Sequence, residues 1–145
     1  MFCRIHAVQL HRARQELELT GARLVAIGQG TPAHAADFRR TQGIDIPILV
    51  DPDRASYSAA GAKIGTLSEV LGPRVMLTGL RRGRPLGLRL GKIDGDLGQL
   101  GGVLIVSPDG SIPYSYLSAD ASDVPSNADV LRAARQAVLA LAGSA

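Results

Sequence analysis

Cys3 is the only cysteine in a chain of 145 residues, and it stands at the head of an apolar stripe made by Ala7, Leu10, Ala13 and Leu17. Spacings of three and four residues predict an amphipathic helix opening around Cys3, with Arg12, Arg14, Glu16 and Glu18 largely off the stripe. The unpaired N–H groups and the positive dipole end of a helix N-terminus favour an anion, so the thiolate is favoured there, and Arg4 and His6 could add to that effect. A thiolate attacks a peroxide oxygen or a disulfide sulfur. A single cysteine is equally a small apolar side chain that packs without reacting, and both readings stand at this position. His6 and His34 could carry protons, but neither has a spacing that demands a metal. Asp51 and Asp53 occupy a turn around Pro52 and show no paired-carboxylate signature. No metal and no other cofactor is expected.

Composition narrows the rest. At 145 residues and 46% hydrophobic content, one globular domain spanning 1–145 with a single packed core is expected. A lone cysteine forms no internal disulfide, which suits a reducing, cytoplasmic setting. Arg4, Arg12, Arg14 and Glu16 interrupt the first twenty residues and argue against a secretory signal, and the apolar run 137–142 is too short for a bilayer, so no membrane partner is expected. The formal charge is +3, and all but Lys63 and Lys92 of the 16 basic residues are Arg, spread along the chain. The segment 74–92 carries Arg81, Arg82, Arg84 and Arg89 without an acid, and could neutralise phosphates. It contains no aromatic residue for base stacking, and its glycines read better as a solvated loop, so nucleic acid is not an expected partner.

The elements that must position Cys3 follow from local signals. Thr20-Gly21 stops the first helix. The apolar run 23–28 predicts a strand covered on both faces. Thr31-Pro32 caps a helix through Ala36 and Phe38 that stops at Gly43, and 46–50 gives a second strand, parallel to the first through this crossover. A short helix is expected within 53–62, and helical turns broken at Gly72-Pro73 within 67–80. The stretch 83–98 has no consistent period. A β-hairpin over 102–106 and 112–117, turning at Ser107-Pro108-Asp109-Gly110, should join the parallel pair in one sheet, and a last helix begins near Ser126 or Asn127. The order is that of an α/β fold: a thioredoxin-like mixed sheet flanked by helices, lacking its opening strand or strands.

At this point the sequence resembles a family. Phe2-Cys3-Arg4-Ile5-His6-Ala7, Val25-Ala26-Ile27-Gly28 with Thr31-Pro32, Leu49-Val50-Asp51-Pro52-Asp53, and Gln99-Leu100-Gly101-Gly102 leading to Ser107-Pro108-Asp109-Gly110 are similar to the peroxiredoxin-like branch of the alkyl hydroperoxide reductase and thiol-specific antioxidant superfamily. In that family a strand leads into Cys-x-x-Cys at the start of the first helix. Cys3 matches the second cysteine; the first would fall immediately before Met1, so the chain resembles an N-terminally truncated member. Gly101 falls where thioredoxin-like proteins carry a cis-proline facing the cysteine site. Gly101 and Gly102 let backbone approach a substrate closely or simply make a tight start to a strand. Thr31 could polarise a peroxide, although its capping role already accounts for it.

The resemblance implies a thiol-dependent antioxidant oxidoreductase. Cys3 would react with a small hydroperoxide or a protein disulfide, with Arg4, Thr31, Gly101 and Gly102 at the substrate and an external thiol as reductant. The rival reading is a catalytically silent thioredoxin-like binding module, or a fragment, without the nucleophilic cysteine. Deleting an interior strand leaves ladder groups unpaired at about 1–3 kcal/mol each, against a total stability of about 5–15 kcal/mol. Either another chain fills that gap, as in a homo-oligomer, or the natural protein is longer, with DNA upstream of Met1 encoding an apolar strand that ends in cysteine.

Overall fold

The computed structural model describes residues 2–83 and 98–143. The first helix is two: α1 (Phe2–Arg12) and α2 (Arg14–Leu19), separated at Ala13, whose N–H is shared between the carbonyls of Gln9 and Leu10. Thr20 then closes α2 by donating its hydroxyl to the Leu17 carbonyl at 2.6 Å, and Gly21 takes the left-handed conformation that ends the turn. The expected stripe is buried at Leu10, Ala13 and Leu17, and Ile5, His6 and Val8 are buried beside it.

β1 (Ala26–Gly28) is followed by α3 (Pro32–Gln42) and β2 (Ile48–Val50), and the two strands pair in parallel with Ala26 opposite Ile48 and Gly28 opposite Val50. Thr31 caps α3 by accepting from the His34 N–H, the His34 ring accepts from the Thr31 N–H in return, and Gly43 ends the helix at φ 63°. Then come α4 (Ala55–Ala59), α5 (Leu67–Leu71) and α6 (Pro73–Gly83), the last two broken at Gly72-Pro73 as the sequence predicts. β3 (Gly102–Ile105) and β4 (Tyr114–Leu117) form the antiparallel hairpin, and α7 (Asn127–Gly143) closes the fold. The aperiodic stretch falls largely within 84–97, outside the described residues, and so does the second half of the basic segment; its first half, expected as a solvated loop, is instead helix α6.

Two expectations need correction. The strand pairs form two separate two-stranded sheets, not one mixed sheet. Among the described residues no strand joins the free edge of β1 to that of β3. Nor are the parallel strands covered on both faces: Ile27 and Leu49, opposite one another, are 48% and 56% exposed. Strand residues alternate between faces, and the packed face belongs to their neighbours. Ala26 and the preceding Leu24 lie against a cluster of Val8, Ile44 and Ile46, with Phe38 of α3.

What joins the two halves is a helical layer. Leu10, Leu17, Val130 and Ala134 make a second cluster, from α1, α2 and α7, and Val103 and Ile105 of β3 pack on it. Leu24 touches both clusters. The mixed α/β architecture, thioredoxin-like in its element order, thus survives the division of its sheet.

Candidate functional site

A Cβ at Gly101 would lie 3.3 Å from the Cys3 sulfur, so the first turn of α1 meets the start of β3, while Val103 and Ile105 further along that strand pack on the cluster of Leu10, Leu17, Val130 and Ala134.

Cys3 is exposed there and forms no disulfide. Gly101 borders its sulfur, and the Gly101 carbonyl is held by the Ser118 N–H at 3.0 Å. A third group lies within electrostatic range of Cys3, one that sequence reasoning missed. Tyr57, half-buried on α4, donates its hydroxyl to the Ile27 carbonyl at 2.9 Å. Its phenol is pushed up to about 12, first by burial, then by the negative charges of Cys3 and Asp51. The Asp51 carboxylate in turn accepts from the N–H groups of Ala55 and Ser56 and from the Ser56 hydroxyl at the start of α4, and the Asp51 N–H bonds the Gly28 carbonyl at 2.8 Å. These bonds hold the Asp51 carboxyl below its ordinary range, the Ser56 hydroxyl most of all. Asp51 thus ties α4, and Tyr57 with it, to the end of β1.

Other residues singled out from sequence have contacts of their own. The Arg4 guanidinium lies over the Phe38 ring, 5.4 Å from its centre, on the side of α3. Thr31 spends its side chain on the cap of α3. Gly102 answers to the hairpin, because a Cβ there would come within 2.3 Å of the Tyr116 carbonyl oxygen. His6 is buried. Among the described residues, no group of three or more His, Cys, Asp and Glu side chains could hold a metal ion. The sequence signal that could have found Tyr57 is its isolation, as the only aromatic residue between Phe38 and Tyr114.

Comparison with protein families matches residues 9–120 to the AhpC/TSA antioxidant enzymes. The chain belongs to that family. The AhpC/TSA span takes in Thr31, Tyr57, Gly101 and Gly102 and begins after Cys3 and Arg4. No curated protein and no solved structure matches the chain. AhpC/TSA enzymes act in general on peroxides with thiol reductants, and the fold of this chain is the thioredoxin-like α/β fold of that family. No helix among the described residues is long and apolar enough to cross a membrane.

Proposed function

We propose that the chain is a one-cysteine, thiol-dependent oxidoreductase of peroxiredoxin-like type, acting through Cys3 in a reducing cytoplasm. The observation that carries this reading is the position of the Cys3 sulfur: exposed, on the first turn of α1, and against the backbone at Gly101. An exposed thiolate attacks the OH-bearing oxygen of a hydroperoxide. The O–O bond breaks, its electron pair leaves on the alkoxide or hydroxide, which takes a proton from water, and sulfur is oxidised by two electrons to the sulfenic acid. An external thiol then condenses with the sulfenic acid, releasing water and leaving a mixed disulfide; a second thiol frees Cys3 and departs as a disulfide. A protein disulfide would instead exchange directly with the thiolate. Gly101 leaves the sulfur accessible by having no side chain, with Arg4, Thr31 and Gly102 as the other substrate-side residues of this reading.

One observation favours a second reading, a binding module without peroxide chemistry: among the described residues no further strand pairs with the outer edges of β1 and β3, the places where an extended segment, including a second copy of the chain, would add. The two are separated by peroxide consumption with dithiothreitol as the external thiol, measured for the wild-type chain and Cys3→Ser. The oxidoreductase reading expects consumption that disappears in Cys3→Ser. Equal consumption by the two proteins would overturn it.

A further inference from the structure

The Cys3 sulfur faces backbone at Gly101, and that backbone is held in turn by the segment that follows β4. The Ser118 N–H donates to the Gly101 carbonyl at 3.0 Å, one step beyond the last pair of the hairpin ladder, Gly102 and Leu117. Further along, Ala121 packs against Ile5 and Val75, and its N–H donates to the Glu69 carbonyl at 2.8 Å. Ile5 belongs to the same first turn of α1 as Cys3. The segment 118–121 therefore touches both the backbone that the sulfur faces and the turn that carries the sulfur.

Asp123 closes this segment. One oxygen of its carboxylate accepts from the Ala119 N–H at 2.8 Å, and the other accepts from the Tyr116 hydroxyl on β4. Its own N–H donates to the Asp120 carbonyl at 3.1 Å, and the Asp120 carboxylate takes the N–H and hydroxyl of Ser122. Ser118 lies between Tyr116 and Ala119, so a single carboxylate clamps it from both sides. Hydrogen bonds to an ionised acceptor are stronger than neutral ones. The Tyr116 phenol is pushed up to about 12, first by its bond to Asp123, and so remains a donor across the neutral range. Because Gly101 has no side chain, the space over the sulfur is bounded by backbone, which moves away only if the bond from Ser118 yields. Building on the reading of Cys3 as the reacting group, we infer that Asp123 is a positioning residue for its thiol: by clamping Ser118 it holds the Gly101 backbone against the sulfur and so limits the size of the reagent that reaches it.

Asp123→Ala removes both acceptors, whereas Asp123→Asn keeps one carbonyl oxygen in the same space. The test measures the rate of Cys3 modification by iodoacetamide and by the much larger fluorescein-5-maleimide, together with hydrogen exchange of the Ser118 amide followed by NMR. Losing the clamp raises the fraction of molecules in which the segment is open, so Ser118 exchange and the maleimide rate should rise together in Asp123→Ala, by about three- to tenfold. Iodoacetamide should stay within about twofold of wild type, since a small reagent reaches the exposed sulfur without that opening. An unchanged ratio of maleimide to iodoacetamide rates in folded Asp123→Ala overturns the inference. Equal acceleration of both reagents also overturns it, by showing a general loosening of the fold. So does a raised ratio without faster Ser118 exchange, because the effect then travels by another route. If Asp123→Ala fails to fold, Asp123→Asn and Tyr116→Phe are judged by the same ratio, each raising it about two- to threefold. Neither reagent is a peroxide, so a wild-type chain that consumes no peroxide removes the oxidoreductase reading in a measurement separate from this one.

Discussion

The parallel pair and the hairpin have two short strands each and are held together differently. In the hairpin, the turn closes itself: the Ser107 N–H bonds the Ser111 carbonyl, the Gly110 N–H bonds the Ser107 carbonyl, and Asp109 accepts from both the N–H and the hydroxyl of Ser111. The parallel strands are joined only through the crossover helix α3, and their outward residues Ile27 and Leu49 are about half exposed. An isolated two-stranded sheet is marginal in water. The parallel pair, lacking a local turn, owes more of its order to what packs beneath it, and the Cys3 sulfur adjoins the start of the hairpin, the half that is partly self-supporting.

The largest test of this difference is Ile46→Ala. Ile46 is 2% exposed and packs with Val8, Ile44, Leu24 and Ala26. Emptying that space should cost about 2–5 kcal/mol in thermal or denaturant unfolding. Amide exchange should speed up at Ala26–Gly28 and Ile48–Val50 before it does at Tyr114–Leu117. If both strand pairs lose protection together, they form one cooperative unit and the contrast between them fails.

The opposite lesion is smaller and belongs to the hairpin. In Gly102→Ala a methyl group must displace the Tyr116 carbonyl, a backbone atom that cannot rotate away. Overpacking of this kind typically costs about 1–3 kcal/mol, and faster exchange should be confined to β3 and β4. The neighbouring Gly101→Ala sharpens the comparison, since the added methyl meets only the Cys3 sulfur, which can yield by a few tenths of an ångström. Its stability should stay near wild type while Cys3 alkylation slows. A Gly101→Ala protein as unstable as Gly102→Ala would mean that the two glycines share one structural role.

How much of this was legible in the sequence depends on how far apart the interacting residues are. The cap at Thr31, the stop at Gly43, the break at Gly72-Pro73 and the hairpin turn around Asp109-Gly110 are local, each set by a side chain or a φ angle within a few residues of its effect. The pairing of β1 with β2 followed from the crossover between them. The division into two sheets was not legible, because strand order depends on what lies between residues 28 and 102, and nothing in either run encodes its second neighbour. The site divides in the same way. Cys3 and Gly101 were found by type and by family resemblance, and they do meet. Arg4 adjoins Cys3 in sequence, and its guanidinium lies over the Phe38 ring, a contact with a residue 34 positions away that neither neighbourhood encodes. Tyr57 was missed since its role rests on a bond to Ile27, thirty residues earlier.

The smallest expected effect concerns the contact that fastens the parallel half to the helices from outside. Asp45, just before β2, meets the Arg14 guanidinium of α2 and the His11 ring of α1, the latter at 2.6 Å. The Arg14 hydrogen bond first, then that from His11, lowers its carboxyl from 3.8 to about 2. A carboxyl whose folded value lies below its unfolded value stabilises the fold above the unfolded value and loses that contribution as pH falls through the folded one. Asp45→Asn should therefore lower stability slightly at pH 6 and not at all once the pH is well below 2, so the stabilities of wild type and variant converge as pH falls from about 4 through about 2. Asp45 is 63% exposed, so the ion pair is screened by solvent and the difference at pH 6 should shrink further in 1 M salt. Amide exchange locates the effect: protection at Ile48–Val50 should fall with the pair, and that of the hairpin should not. A salt-independent loss, or one that reaches β3 and β4 equally, would mean that Asp45 acts through the shared core rather than as an external fastening of the weaker half.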